Sequence, residues 1–211
     1  GGICVPPAGY LARCAEICRR HNVLLICDEV QTGLGRTGAM FAVDHESVKP
    51  DGLILGKALG GGLLPVSAFI ASRAVMSVFR PGDHGSTFGG NPLAAAVALA
   101  TLDILERDDI PNKAKADGHY FRDRLREIRS PLIADIRGQG LLIGVEINPK
   151  FTTARAVCEV LQRFGILSKD THGTVIRFAP PLTITRAEMD YAIDRIARAL
   201  SDLERSLKRA A

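Results

Sequence analysis

The sequence predicts an α/β protein, part of a parallel-sheet domain followed by a smaller α+β domain. Apolar runs of strand length, VLLIC (23–27) and GLIL (52–55), alternate with amphipathic helical stretches. Uninterrupted runs of this kind belong to parallel strands buried on both faces under helices. After Asp108-Asp109 the texture changes to charged amphipathic helices with apolar runs between them. The division is therefore placed between 1–106 and 107–211.

In chain order, Pro6-Pro7 precede a helix whose Leu11, Cys14, Ala15 and Cys18 recur at helical spacing, which predicts a buried face. His21-Asn22 closes it and VLLIC follows. After a glycine-rich loop and a turn at Lys49-Pro50-Asp51 comes GLIL. The next apolar run, VSAFIAS (66–72), starts only a few residues after Lys57. Parallel neighbours need a crossover of roughly a dozen residues, so this third strand should run antiparallel. Asn91-Pro92 supplies a cap and a first-turn proline for a helix to about residue 107. Its alanine-rich start predicts tight, buried packing. A charged helix (112–129), a strand LLIGVEI, a helix near 153–164, a strand TVIRF and a last helix from about 185 complete the chain. The last helix opens with a capping box, Thr185 to Glu188, and should bury Ile193, Ile196, Leu200 and Leu203.

With 46% hydrophobic and 24% charged residues among 211, the composition is that of a globular protein. The net charge of +4 comes from scattered Lys and Arg, with no basic run interleaved with aromatics, which points to a solvated surface rather than a nucleic-acid partner. No apolar run reaches membrane-spanning length, and no signal peptide opens the chain. It begins Gly1-Gly2 without Met, as a piece of something longer would. Five cysteines, an odd number without CxxC spacing, predict buried reduced thiols and a reducing compartment.

Two nucleotide motifs fail on context. GLGRTG (33–38) matches a dinucleotide fingerprint, but DEVQT separates it from the strand and no helical stripe follows. Around Lys57 the P-loop spacing is one residue short, and Ala58 replaces the Ser or Thr that would hold magnesium. A more informative pair is Asp28, after VLLIC, and Lys57, after GLIL. Ligands of open α/β sheets sit outside the carboxyl ends of the strands, so both groups should face one crevice. A buried structural ion pair is the plain alternative. The pair also suits pyridoxal phosphate, which needs a lysine for a Schiff base and a carboxylate to keep its ring nitrogen protonated. An ordinary lysine pKa near 10.4 makes neutrality at pH 7 cost roughly 4–5 kcal/mol, and imine formation removes that ammonium. Gly56 and Gly60–Gly62 leave backbone room for a flat ring.

Four ordered segments, DEVQTGLGRTG, LGKALGGGLLPVSA, HGSTFGGNPLA and IRFAPPL, resemble the class III pyridoxal-phosphate aminotransferases over the whole chain. The THGxxIRFAPPL ending is most similar to the ornithine aminotransferase branch. The resemblance implies a fold type I transferase, represented by the later part of its large domain and its C-terminal small domain. It implies transfer of the terminal amino group of ornithine to 2-oxoglutarate, giving glutamate semialdehyde and glutamate. Acetylornithine or 4-aminobutyrate as donor, or an inactive interaction domain, remain alternatives. Residue by residue, Lys57 matches the Schiff-base lysine and Asp28 the partner of the ring nitrogen. Val30 matches the residue against one ring face, and Gln31 the one bonding the ring hydroxyl. Thr87 matches a residue reaching the cofactor phosphate of the other subunit, which implies a homodimer. Arg177 matches a substrate-side arginine that pairs with a glutamate or a carboxylate. That glutamate would fall just before Gly1. His172 is read as structural. The family's phosphate loop, its ring-stacking aromatic and its upstream substrate arginine lie outside these residues. The cytoplasm, or a mitochondrial matrix, is the compartment implied.

Overall fold

A computed structural model describes residues 2–210, and they divide into two units. One runs from Pro6 to Asn112; the other joins the residues up to Val5 to those from Lys113 onward.

In the first unit, helix α1 (Tyr10–Arg20) begins at Gly9 without a side-chain cap of its own. Glu46, from a short 3-10 turn (Ala42–Glu46), supplies one from a distance: its carboxylate accepts from the amides of Gly9 (3.1 Å) and Ala12 (2.9 Å). Strands β1 (Ile26–Asp28), β2 (Gly52–Leu55) and β3 (Ala68–Ala71) form a sheet in that order. β1 and β2 are parallel, with Asp28 opposite Ile54, and β3 runs antiparallel to β2, as its short connection requires. A single-turn helix α2 (Arg73–Met76) and the long α3 (Pro92–Arg107) follow. Asn91 caps α3 by accepting from the Ala94 amide at 2.8 Å.

Burial in this unit departs from the sequence expectation. β1 is an edge strand, and Val23, Leu24 and Ile26 are about half exposed. α3 buries only Ala94 and Leu105, while Leu93, Leu99 and Ile104 face outward. All five cysteines are free, yet Cys158 alone is buried; Cys14, Cys18 and Cys27 are half-buried and Cys4 is exposed.

The second unit carries the larger core. Helix α4 (Ile110–Arg126) leads to an antiparallel sheet of β4 (Ile133–Gln139), β5 (Leu142–Ile147), β6 (Lys169–Thr171) and β7 (Val175–Phe178), ordered β4-β5-β7-β6. Leu125, Ile143, Ile147, Leu161, Ile176 and Met189 are almost wholly removed from water. α5 (Ala154–Arg163) starts at a Thr153 cap, and α6 (Arg186–Ala210) at the expected Thr185–Glu188 box. Ile193, Ile196 and Leu200 are buried as predicted, with Leu203 packed partly against them.

Two glycines let backbone approach backbone. A Cβ on Gly118 of α4 would fall 1.9 Å from the Gly140 carbonyl oxygen, so the β4–β5 turn can press on the helix only at a glycine. A Cβ on Gly144 of β5 would fall 2.9 Å from the Ile3 Cβ, and there the first described residues lie over the sheet. Arg137 fastens them, donating to the carbonyls of Gly2 (2.9 Å) and Ile3 (3.1 Å) while pairing with Asp135 and Glu146.

Candidate active site

The residues singled out in the sequence fall into two groups, one in each unit. In the first unit the parallel pairing of β1 and β2 puts Asp28 and Lys57 at the same edge of the sheet. Leu55 and Gly56 are buried, but Lys57 itself is exposed, which corrects the picture of a buried amine. Among the described residues it makes no ion pair with Asp28 or any other carboxylate. Lys57 also holds a left-handed backbone angle, φ 45°, at the start of a short 3-10 turn (Lys57–Gly60). For a residue with a Cβ that is a sparsely populated, costly conformation.

Lys57 lines a cleft of about 450 Å³ with Val66, Ser67, Ser86, Gly89 and Asn91. Pockets for small molecules are of this size. The loop 85–91 that walls it is shaped by its own side chains: Ser86 Oγ accepts from the Gly89 amide at 3.0 Å, and Asn91 Nδ2 donates to the Phe88 carbonyl at 2.8 Å. Thr87 is exposed on that loop and is not part of the cleft wall.

On the β1 side, Asp28 Oδ1 accepts from the Val30 amide at 3.0 Å, which turns the chain sharply after the strand. Val30 is half-buried and packs toward β2: a Cβ on Gly56 would be 3.4 Å from its Cγ1. The residue before Lys57 thus lies against the residue two past Asp28. Gln31 is half-buried just beyond. Burial pushes the neighbouring Cys27 thiol up, with the charge of Glu29 next and Cys14 and Cys18 after it, so the thiol stays protonated at neutral pH.

Sequence reasoning missed one residue of this edge. Glu29 is 2% exposed, with its carboxylate oxygens bonded inside the protein: Oε1 accepts from the Val43 amide at 2.9 Å and Oε2 from the Thr32 hydroxyl at 2.6 Å. The available signal was alternation, since a residue between two outward groups at a strand end points inward.

Arg177 lies on β7 in the second unit and is half-buried. Directly opposite it stand Gly144 of β5 and Lys169 of β6, and Arg137 stands opposite Gly144. These residues share one face of the sheet. Arg137 is engaged by carboxylates and carbonyls, whereas Lys169 and Arg177 line a shallow cleft of about 260 Å³ with Ser168 and have no acidic partner among the described residues. His172 caps the neighbouring hairpin from a left-handed position and bonds Thr171, away from that row.

The profile of the aminotransferase class-III family matches residues 1–200. The chain belongs to that family. It is 53% identical over 200 residues to an ornithine aminotransferase of Exiguobacterium sp., covering 95% of this chain and 49% of the relative. An ornithine aminotransferase 2 of Staphylococcus saprophyticus is 54% identical over 195 residues, covering 92% and 48%. Among solved structures, the ornithine aminotransferase of Toxoplasma gondii superposes with a TM-score of 0.94 at 48% identity, covering 98% of this chain and 50% of that one. That protein, crystallized with oxidized glutathione, had partial occupancy of pyridoxal phosphate at its active site. The acetylornithine aminotransferase of Elizabethkingia anophelis reaches 0.89 at 46%, covering 94% and 53%. The chain spans about half the length of the curated relatives it matches. The fold is that of the fold type I transferases these neighbours represent.

Proposed function

We propose that the protein containing this chain transfers the terminal amino group of ornithine to 2-oxoglutarate with pyridoxal phosphate as cofactor. The observation that carries the proposal is an exposed lysine, without an acidic partner among the described residues, at the carboxyl end of two parallel strands where a carboxylate also stands. It occurs in a chain more than half identical to ornithine aminotransferases. The residues fit the cofactor by three criteria. An amine faces a cleft of suitable volume, a carboxylate ends the adjacent strand, and the glycine before the lysine keeps the floor of the crevice low.

When bound, the cofactor supplies a carbonyl carbon that takes up amines and a cationic ring that draws electrons from the donor's C–H bond. Lys57 then has two tasks. It would anchor the cofactor, and its free amine would carry the proton. Asp28 would hold the ring nitrogen protonated, Val30 would pack on the ring, and Gln31 would bond its hydroxyl. Thr87 serves the phosphate of a second subunit. That role makes the working protein a homodimer.

Arg177 receives the carboxylate of 2-oxoglutarate. Its open side, shared with Lys169, supports this, because two cations directly opposite repel unless an anion lies between them. The chain enters over Gly144, the register partner of Arg177, which agrees with a pairing glutamate just upstream. A fork of N–H groups that can exchange one carboxylate for another lets a single pocket serve a cationic donor and an anionic acceptor. The similarity to an acetylornithine aminotransferase keeps that donor as the second reading.

Borohydride reduction of the full-length protein in the presence of pyridoxal phosphate should label Lys57 alone. Peptide mapping that places the label on another lysine overturns the assignment.

A further inference from the structure

We infer that Glu29 is a positioning residue for the cofactor-facing edge, holding Asp28 and Val30 at the orientation the cofactor needs. The inference rests on the functional reading above. A carboxylate removed from water is costly unless its oxygens are bonded, and an apolar side chain would fill the same space more cheaply. Glu29 meets that condition by gathering pieces of chain that are otherwise separate. Its side chain accepts from Thr32 and from Val43, fourteen residues on, while its amide donates to Ile54 of β2 at 2.9 Å and its carbonyl accepts from Gly33 at 2.9 Å. Gly33 fits only as glycine, since a Cβ there would lie 2.9 Å from the Glu29 carbonyl oxygen.

Four bonds at one residue thus fix the point where β1 ends. Asp28 is the last residue of β1 and Val30 opens the turn that follows, so the backbone carrying both is held where Glu29 is held. The bond to Ile54 adds a link toward Lys57, three residues further along the same segment. Asp28 cannot be held this way by itself. It is exposed, and among the described residues its carboxylate accepts one hydrogen bond, the local one from the Val30 amide.

The test uses the full-length protein and pyridoxal phosphate isotopically labelled at its ring nitrogen. Glu29→Ala should weaken cofactor affinity about 10- to 100-fold, the loss expected for bonds to a buried charged acceptor. At saturating cofactor its ring-nitrogen resonance should move toward the unprotonated position, because Asp28 no longer faces it. Glu29→Gln, which keeps one acceptor for Val43 and can pair with a rotated Thr32 hydroxyl, should restore most of both. Should Glu29→Ala fail to fold, Thr32→Val carries the test, with about a 2- to 10-fold loss of affinity in the same direction. A lower melting temperature with unchanged affinity and an unmoved resonance would overturn the inference while leaving the functional reading intact. An unsubstituted protein that takes up no cofactor would overturn both.

Discussion

Lys57 offers a measurement of what the site costs the fold. Its backbone φ of 45° lies in the left-handed region, which a side chain with a Cβ enters at a cost of about 1–2 kcal/mol. Lys57→Ala keeps the Cβ and so keeps the strain; Lys57→Gly removes it. Glycine also has more freedom in the unfolded chain, which takes back about 0.4–1 kcal/mol. Lys57→Gly should therefore exceed Lys57→Ala in stability by up to about 1.6 kcal/mol, centred near 0.8. For a domain of 150–250 residues, each kcal/mol corresponds to a melting shift of about 2–4 °C. Both variants, prepared without cofactor, can be compared by thermal melting and by urea denaturation. Neither should be labelled by borohydride and pyridoxal phosphate. A Lys57→Gly protein that melts at or below Lys57→Ala would show that the turn carries no strain at this residue, and the idea that the lysine is held there against its preference would fall.

Asp28→Asn should bind cofactor but lose about 2.7–4 kcal/mol of transition-state stabilisation, a hundredfold or more in turnover, since an amide cannot hold the ring proton. Near-normal turnover removes its role. Arg177→Lys should weaken the 2-oxoglutarate half-reaction more than the ornithine half-reaction, because an ammonium lacks the planar fork; equal losses in single-turnover measurements make Arg177 merely structural. Glu146 supplies a pH test. The Thr174 hydroxyl and, after it, Arg137 hold its carboxyl below the ordinary 4.5. A depressed folded value stabilises above the unfolded one and is lost as pH falls through the folded one. Denaturation midpoints of the wild type and Glu146→Gln should therefore differ at pH 6 and converge in acid below about 4.5, and a constant gap would refute the linkage.

Features set by neighbours in sequence were legible. The Thr185–Glu188 box, the Asn91 cap and the antiparallel return of β3 each follow from a few adjacent residues, and each is present. The juxtaposition of Asp28 and Lys57 needed one further rule, that parallel strands deliver their ends to the same edge. Glu29 escaped because its worth lies in Val43 and Ile54, neither of which advertises a partner in the sequence. The attachment of residues 2–3 to the second unit escaped for the same reason. It depends on Arg137 and on the bare Cα of Gly144, more than a hundred residues away. Strands β4 and β6 were missed because their residues alternate or mix polar and apolar types without a long apolar run.

Burial in the first unit shows a different limit. An apolar run states that a segment gains by being covered, at roughly 25 cal/mol per Å² of apolar surface. It does not state what covers it. Val23 and Leu24 before β1, Ile26 on it, and Leu93, Leu99 and Ile104 on α3 carry the pattern of buried elements yet are 45–64% exposed. In the second unit the same kind of pattern on β5 and α6 is met by neighbours within this chain, and Ile143, Ile147 and Met189 are fully buried. The difference does not follow apolar content, since α3 is the more apolar helix and α6 the better buried. It lies in what each run meets: among the described residues β5 and α6 pack into one apolar cluster, while Val23, Leu24, Leu93, Leu99 and Ile104 lie outside it. Hydrophobic pattern therefore identified the elements in both units, but predicted their burial only in the second.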